Sequence, residues 1–262
     1  MTVGFSGDVA EYYAKFRRGY PPRLLDALQA AFGLGGDDTV LDLGCGTGQL
    51  TLPLAARVGS VIGMDPEPDM LRLAREAAIA QGVHNATWLL GADTDVPALG
   101  TLMGERSLAV TVIGQALHWM QHDALFRELT PLLRRGGGIA VIANGTPLWL
   151  QDSAWSRALR DSLEEHFDTE LRASCGTGAD DRARYARALE AAGFDDVREI
   201  VTEGREELSF DRIIGGVFSA IPAEALPRPD ERLAFAERVR LALPPAPFVE
   251  EVRVSALVGH VR

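Results

Sequence analysis

The chain has 262 residues, 47% hydrophobic and 24% charged, which suits one large α/β domain or a core domain with a small attachment. Its formal net charge of −11 argues against general nucleic-acid binding, which needs a cationic surface to neutralise phosphates. No apolar run reaches the ~20 residues that span a bilayer, so a membrane is not expected as a partner.

The opening stretch "MTVGFSGDVAEYY" lacks a basic start followed by a long apolar core, so no secretory leader is expected. Only two cysteines occur, Cys45 and Cys175, and Cys45 sits inside a glycine turn. A structural disulfide is not expected, and a reducing cytoplasm is the expected location. "KFRRGYPPR" (15–23) gathers four cations and reads either as a solvated helix end or as a functional patch.

Helical patterns cover residues 7–17 and 21–33, the second opened by Pro21 and Pro22. "TVLDLG" (39–44) reads as a buried strand, and a helix follows it to about Arg57. "SVIGMD" (60–65) is the second strand, and "PDMLRLAREAAIAQG" (68–82) is an amphipathic helix with Gly82 as a left-handed cap. "ATWLLGAD" (86–93) and "LAVTVIGQ" (108–115) read as the third and fourth strands. "DALFRELTPLLRRGGG" (123–138) reads as a helix stopped by glycines, and "GIAVIAN" (138–144) as the fifth strand. Residues 150–192 look mostly helical; 196–208 and 252–262 look like strands, with a Pro-rich stretch at 243–248. Strand and helix alternate through the first 145 residues, which predicts a parallel sheet with helices on both faces.

In such a sheet, ligands bind beyond the carboxyl ends of the strands. The strand ends carry Gly44-Cys45-Gly46-Thr47-Gly48, then Asp65, then Asp93, then Gln115, His118 and Trp119. A glycine turn with a carboxylate 17 residues beyond Gly48 first suggests a dinucleotide site. The spacing is G-x-G-x-G, however, with Gln49 in the third glycine slot of the dinucleotide fingerprint. Asp42, just before the turn, would also oppose a pyrophosphate. A cofactor that carries a cation and no phosphate fits better. S-adenosylmethionine is such a cofactor: glycines 44, 46 and 48 would let backbone lie against it, Asp65 would take the ribose diol, and Asp93 beside Thr94 would take the adenine amino group.

"VLDLGCGTGQLTLPLA", "VIGMDPEPDMLRLAR", "GADTDVPAL" and "GQALHWM", in this order, resemble class I S-adenosylmethionine-dependent methyltransferases. The likeness covers roughly residues 10–145 and is greatest to the small-molecule enzymes similar to ubiquinone-biosynthesis and trans-aconitate methyltransferases. It implies a doubly wound, Rossmann-like sheet of seven strands, the last antiparallel, with a small, mainly helical cap. It implies S-adenosyl-L-methionine as cofactor, with contacts at Gly44, Cys45, Gly46, Gly48, Asp65, Pro66, Met70, Asp93, Thr94 and Gln115. Cys45 is read as a packing residue of that loop rather than as a nucleophile. "YYAKFRRGYP" resembles the family's lead-in, in which Tyr13 and Arg17 would close over the cofactor; Arg18 stands where that lead-in often has proline. The expected organisation is lid helices at 1–36, a cofactor-binding core at 37–149 and 181–208 with 248–262, and cap insertions at 150–180 and 209–247.

Methyl transfer requires the accepting atom to be aligned, water to be excluded and often one proton to be removed. His118 is the candidate base, because its reference pKa near ~6.5 suits such work at neutral pH. Packing of the loop after the fourth strand is its other reading. The cap aromatics Trp149, Trp155, Phe167, Phe210 and Phe218 line an apolar acceptor pocket or pack a core. The expected acceptor is a small apolar or aromatic molecule, methylated on O, N or C. A non-catalytic cofactor-binding protein and a nicotinamide-dependent oxidoreductase are the alternatives. Histidines and cysteines show no metal-ligand spacing. A homo-oligomer stays open, since no seam in the sequence decides it.

Overall fold

The computed structural model describes residues 4–172 and 175–262. Two helices lead in, α1 (Asp8–Phe16) and α2 (Pro22–Phe32). The core then runs β1 (Thr39–Leu43), α3 (Thr51–Ala55), β2 (Ser60–Asp65), α4 (Pro68–Ala80), β3 (Ala86–Leu90), α5 (Val96–Met103), β4 (Leu108–Gly114), α6 (His122–Leu129) and β5 (Leu133–Asn144). The second half adds α7 (Ala154–Phe167), α8 (Ala179–Ala191), β6 (Asp195–Leu208), α9 (Phe210–Phe218), α10 (Arg232–Ala242) and β7 (Phe248–His260).

The seven strands form one sheet in the order β3-β2-β1-β4-β5-β7-β6. β7 runs antiparallel to both its neighbours, and the pairs among the first five strands are parallel. The Rossmann-like sheet with an antiparallel last strand therefore stands as the motifs implied. The order reverses between β1 and β4, which opens a crevice at their carboxyl ends.

Period-two alternation divides the core between the two faces. Leu41, Leu43, Ile113, Ile139, Val141 and Leu257 pack with α5, α6 and α8 through Leu99, Phe126, Leu129 and Leu189. Val40, Val61, Val110, Val112, Ala140, Ile142 and Val258 pack with α2 through Leu24, Leu25, Leu28 and Phe32. In a third cluster Trp155, Leu159, Ile213, Phe218, Phe235 and Val239 join α7, α9 and α10.

Several sequence expectations need correction. The helix expected over 123–138 ends at Leu129, because Pro131 lacks the amide that the next turn would need; Thr130–Leu132 form a 3-10 turn. "LRRGGG" is instead the start of β5, with Leu133 paired to Leu108 and a register shift before Gly138. The helix after β1 is only Thr51–Ala55, and α5 lies between the third and fourth strands, where the sequence pattern assigned no element. β7 begins at Phe248 rather than at residue 252, and β6 pairs with it as far as Leu208.

Candidate functional site

A cleft of about 300 Å³ lies at the carboxyl edge of the sheet. One half is built by the ends of β1 and β2, the other by the loops after β4 and β5, by α9 and by the start of β7.

In the first half the chain must turn sharply from β1 into α3. Gly44 adopts φ +74, and a β-carbon there would stand 2.5 Å from the Ala116 side chain. The turn therefore requires glycine both for its backbone angle and for its neighbour. At Gly46, with φ +53, the ring of Tyr13 stands 3.6 Å from where a β-carbon would be. Asp65 organises this turn. Its Oδ2 accepts the Gly46 amide at 2.8 Å, and its Oδ1 accepts the Glu67 amide at 2.9 Å. Each oxygen keeps a second lone pair. Burial holds the Asp65 carboxyl above its ordinary value against those two amides.

Asp42 lies beneath the turn, 1% exposed. Its Oδ2 accepts the Thr51 hydroxyl at 2.5 Å, whereas its Oδ1 is buried with no hydrogen-bond partner among the described residues. Burial pushes its carboxyl up to about 7. Asp42, Asp65 and Glu67 thus bring three carboxylates to this half of the cleft.

The structure brings Tyr13, Arg17, Gly44, Cys45, Gly46, Asp65, Pro66, Met70, Gln115 and His118 together as cleft lining. The Arg17 guanidinium lies 5.0 Å over the Tyr13 ring and donates to the Ser219 carbonyl at 3.3 Å. Cys45 is 6% exposed, and burial pushes its thiol well up, which suits packing and not nucleophilic attack. Gly48, Asp93 and Thr94 do not line the cleft. Gly48 lets Trp88 close to 3.2 Å from its missing β-carbon, Asp93 Oδ2 accepts the Gln121 amide at 2.9 Å, and Thr94 is exposed.

His118 lies in a 3-10 turn after β4, its ring 4.9 Å from that of Trp119. Burial lowers its pKa below the usual histidine value, so at neutral pH the imidazole is uncharged and able to accept a proton. Of the cap aromatics, Trp149 lines the cleft, while Trp155 and Phe218 are core.

The other half holds residues that the motifs did not reveal. Glu206 and Glu250 are direct cross-strand partners in β6 and β7, a like-charge pair that would repel if left alone. Arg18 bridges them, with Nε to Glu206 at 3.1 Å and Nη2 to Glu250. Arg212 also donates to Glu206, and Gln151 donates to Glu250 at 2.7 Å. Arg18, Arg212 and Glu250 all line the cleft, as do Tyr20 and Glu67. Tyr20 belongs to the same lead-in as Arg17, and Glu67 follows Asp65 by two positions, so both had a local signal. Arg212 and Glu250 had none: the β6–β7 register sets Glu250 opposite Glu206, and Arg212 reaches Glu206 from α9.

Residues 40–137 match the methyltransferase domain family. An uncharacterized methyltransferase of Mycobacterium tuberculosis is 34% identical over 144 residues, 55% of this chain and 53% of that protein. The chain spans about half the length of the curated relatives it matches. Among solved structures, a candidate type II methyltransferase from Anaeromyxobacter dehalogenans superposes with TM-score 0.60 at 20% identity, covering 94% of this chain and 98% of that one. The YcgJ protein of Bacillus subtilis gives TM-score 0.56 at 16% identity, covering 92% and 99%. The matched segment runs from β1 into β5, and the sheet has the fold of these solved structures.

The Arg18 bridge generates a stability test. Arg18→Ala would leave a carboxylate with 3% side-chain exposure unpaired, at an expected cost of about 3 kcal/mol in urea unfolding. Adding Glu250→Gln should recover much of that loss. A single-variant loss below about 1 kcal/mol would contradict the bridge.

Proposed function

We propose that the chain is an S-adenosylmethionine-dependent methyltransferase whose acceptor is a small molecule with an apolar or aromatic body. The observation that carries this reading is the Oδ1 of Asp42, buried beneath a glycine turn with no hydrogen-bond partner among the described residues, in a cleft half that holds three carboxylates. Such a surface suits a cationic ligand and opposes a pyrophosphate. When bound, the cofactor supplies a methyl carbon activated by a sulfonium and open to in-line displacement.

The chain's own residues supply the rest. Asp65 keeps a free lone pair on each oxygen for the two ribose hydroxyls, while its amide contacts hold Gly46 and Glu67 in place. Asp42, beneath the turn in the cleft lining, would place its carboxylate near the ligand's positive charge. Gly44 and Gly46 allow close backbone approach, and Cys45 packs beneath. Pro66, Met70 and Tyr13 cover the site against water, with Arg17 stacked over Tyr13. Asp93, with Oδ2 taken by the Gln121 amide, and Thr94 lie outside the cleft lining, so the adenine end would have to reach past its edge to meet them. Gly48 contributes by letting Trp88 pack. Gln115, held at φ +55, follows β4 directly and shapes the wall between the two halves. His118 receives the acceptor's proton. Nucleic acid is not part of this reading, because the three guanidiniums of the cleft sit inside it and two are already paired with glutamates.

Replacing Asp65 by Asn keeps one acceptor oxygen for the turn and removes the charge. The dissociation constant for S-adenosylhomocysteine should weaken by about 1.5–3 kcal/mol in calorimetry. An unchanged constant would remove Asp65 from the cofactor site.

For His118→Ala, turnover should fall roughly 10²–10⁴-fold with cofactor affinity retained. The sign of the pH effect follows from the lowered pKa. The imidazole becomes protonated, and so useless as a base, only below the ordinary value of ~6.5, so the acid limb of kcat/KM should lie below that pH. It should vanish in the variant. A loss below tenfold would return His118 to a packing role.

A further inference from the structure

Charge and hydrogen-bond accounting in the second half of the cleft narrows the acceptor further, and this rests on the methyltransferase reading above. Two guanidiniums line this part of the cleft, those of Arg18 and Arg212, and that of Arg17, stacked on Tyr13, stands at its border with the first half. Two carboxylates answer them. Glu206 accepts from Arg18 on one oxygen and from Arg212 on the other, and Glu250 accepts from Arg18 on one and from Gln151 on the other. Every carboxylate oxygen here already accepts one charged or amide donor.

Donors are left over. Arg18 spends Nε and Nη2 on the glutamates, and its Nη1 faces Gly145, 3.6 Å from where a β-carbon would stand. Arg212 spends only Nη1 among the described residues. Arg17 has a buried Nε with no partner among the described residues and pairs with no carboxylate there. Arg18 and Arg212 balance Glu206 and Glu250, and Arg17 at the border adds one positive charge. Around it the lining is apolar, with Phe16, Leu148, Trp149 and Leu208. A neutral hydrocarbon would leave those N–H groups without acceptors when it displaced water.

We propose that the methyl acceptor is a monoanion: an apolar or aromatic body that carries a carboxylate, received by Arg212 together with the Nη1 edge of Arg18. A planar guanidinium edge matches a carboxylate in geometry as well as charge. The accepting atom lies elsewhere on the molecule, toward His118, and the carboxylate acts as an anchor.

The test uses matched acid and amide probes: trans-cinnamate with cinnamamide, 2-naphthoate with 2-naphthamide, and 3-phenylpropionate with its amide. Each is titrated into the complex of the full chain with S-adenosylhomocysteine, whose own affinity is measured first. Absence of that affinity would sink the cofactor reading and is seen separately. With it present, at least one acid should bind roughly tenfold more tightly than its amide. Arg212→Gln should abolish the preference without changing the S-adenosylhomocysteine constant, and Arg212→Lys should retain part of it. If no acid outbinds its amide, or if the preference survives Arg212→Gln, the proposal is wrong. If the preference disappears instead in Arg17→Gln, together with a weaker S-adenosylhomocysteine constant, the carboxylate that this half answers is the cofactor's own and the proposal is likewise overturned.

Discussion

The site depends on two carboxylates held almost out of water at the ends of adjacent strands. Asp65 spends one hydrogen bond per oxygen on the amides of Gly46 and Glu67, so a single side chain fixes both the turn after β1 and the entry to α4. Asp42 has only the Thr51 hydroxyl. Its folded pKa of about 7 lies above the ordinary value of 3.8, so between those values the folded chain holds a proton that the unfolded chain has lost. Stability from this group is therefore lost as pH rises from about 4 to about 7. A fold retains such a cost where the charge has a ligand to meet. A cationic cofactor would favour the ionised form and offset the penalty.

The second half of the cleft follows the opposite logic. Its charges are paired with one another, and Arg18 is the centre of the pairing. Because Arg17 and Arg18 are consecutive, the segment that carries Tyr13 and Arg17 over the glycine turn is also bolted to β6 and β7. Phe16 adds an apolar fastening, since Gly215 of α9 leaves no side chain between the helices; a β-carbon there would stand 2.2 Å from the Phe16 ring. The cover of one half and the wall of the other are thus one piece of chain. The charged network at the wall gains stability only modestly in sum, because burying ions costs about what pairing returns. Its value is in fixing a polar surface inside an apolar pocket.

The first half of the chain was legible because its information is local. A strand, a glycine turn and a carboxylate at the next strand end follow one another within some 25 residues, and each imposes a backbone requirement that composition reveals. The rest depends on register. Glu250 and Arg18 lie 232 residues apart, and nothing near either one announces the other. The glycines after Arg135 looked like a helix stop. They instead form the bulged entry to β5, because the pairing of Leu133 with Leu108 outweighs the helical pattern before it. Gly48 shows the reverse error: its place in the motif suggested ligand contact, while its neighbour is Trp88.

The most direct measurement is calorimetric titration of the purified chain with S-adenosylmethionine, S-adenosylhomocysteine and NAD. Saturable binding of the first two and no heat from NAD are expected, because Asp42 and Asp65 favour a cationic ligand and Gln49 and Asp42 oppose a pyrophosphate. Binding of NAD with silence from both sulfur compounds would contradict that expectation and would mean that the carboxylates beneath the turn serve another ligand.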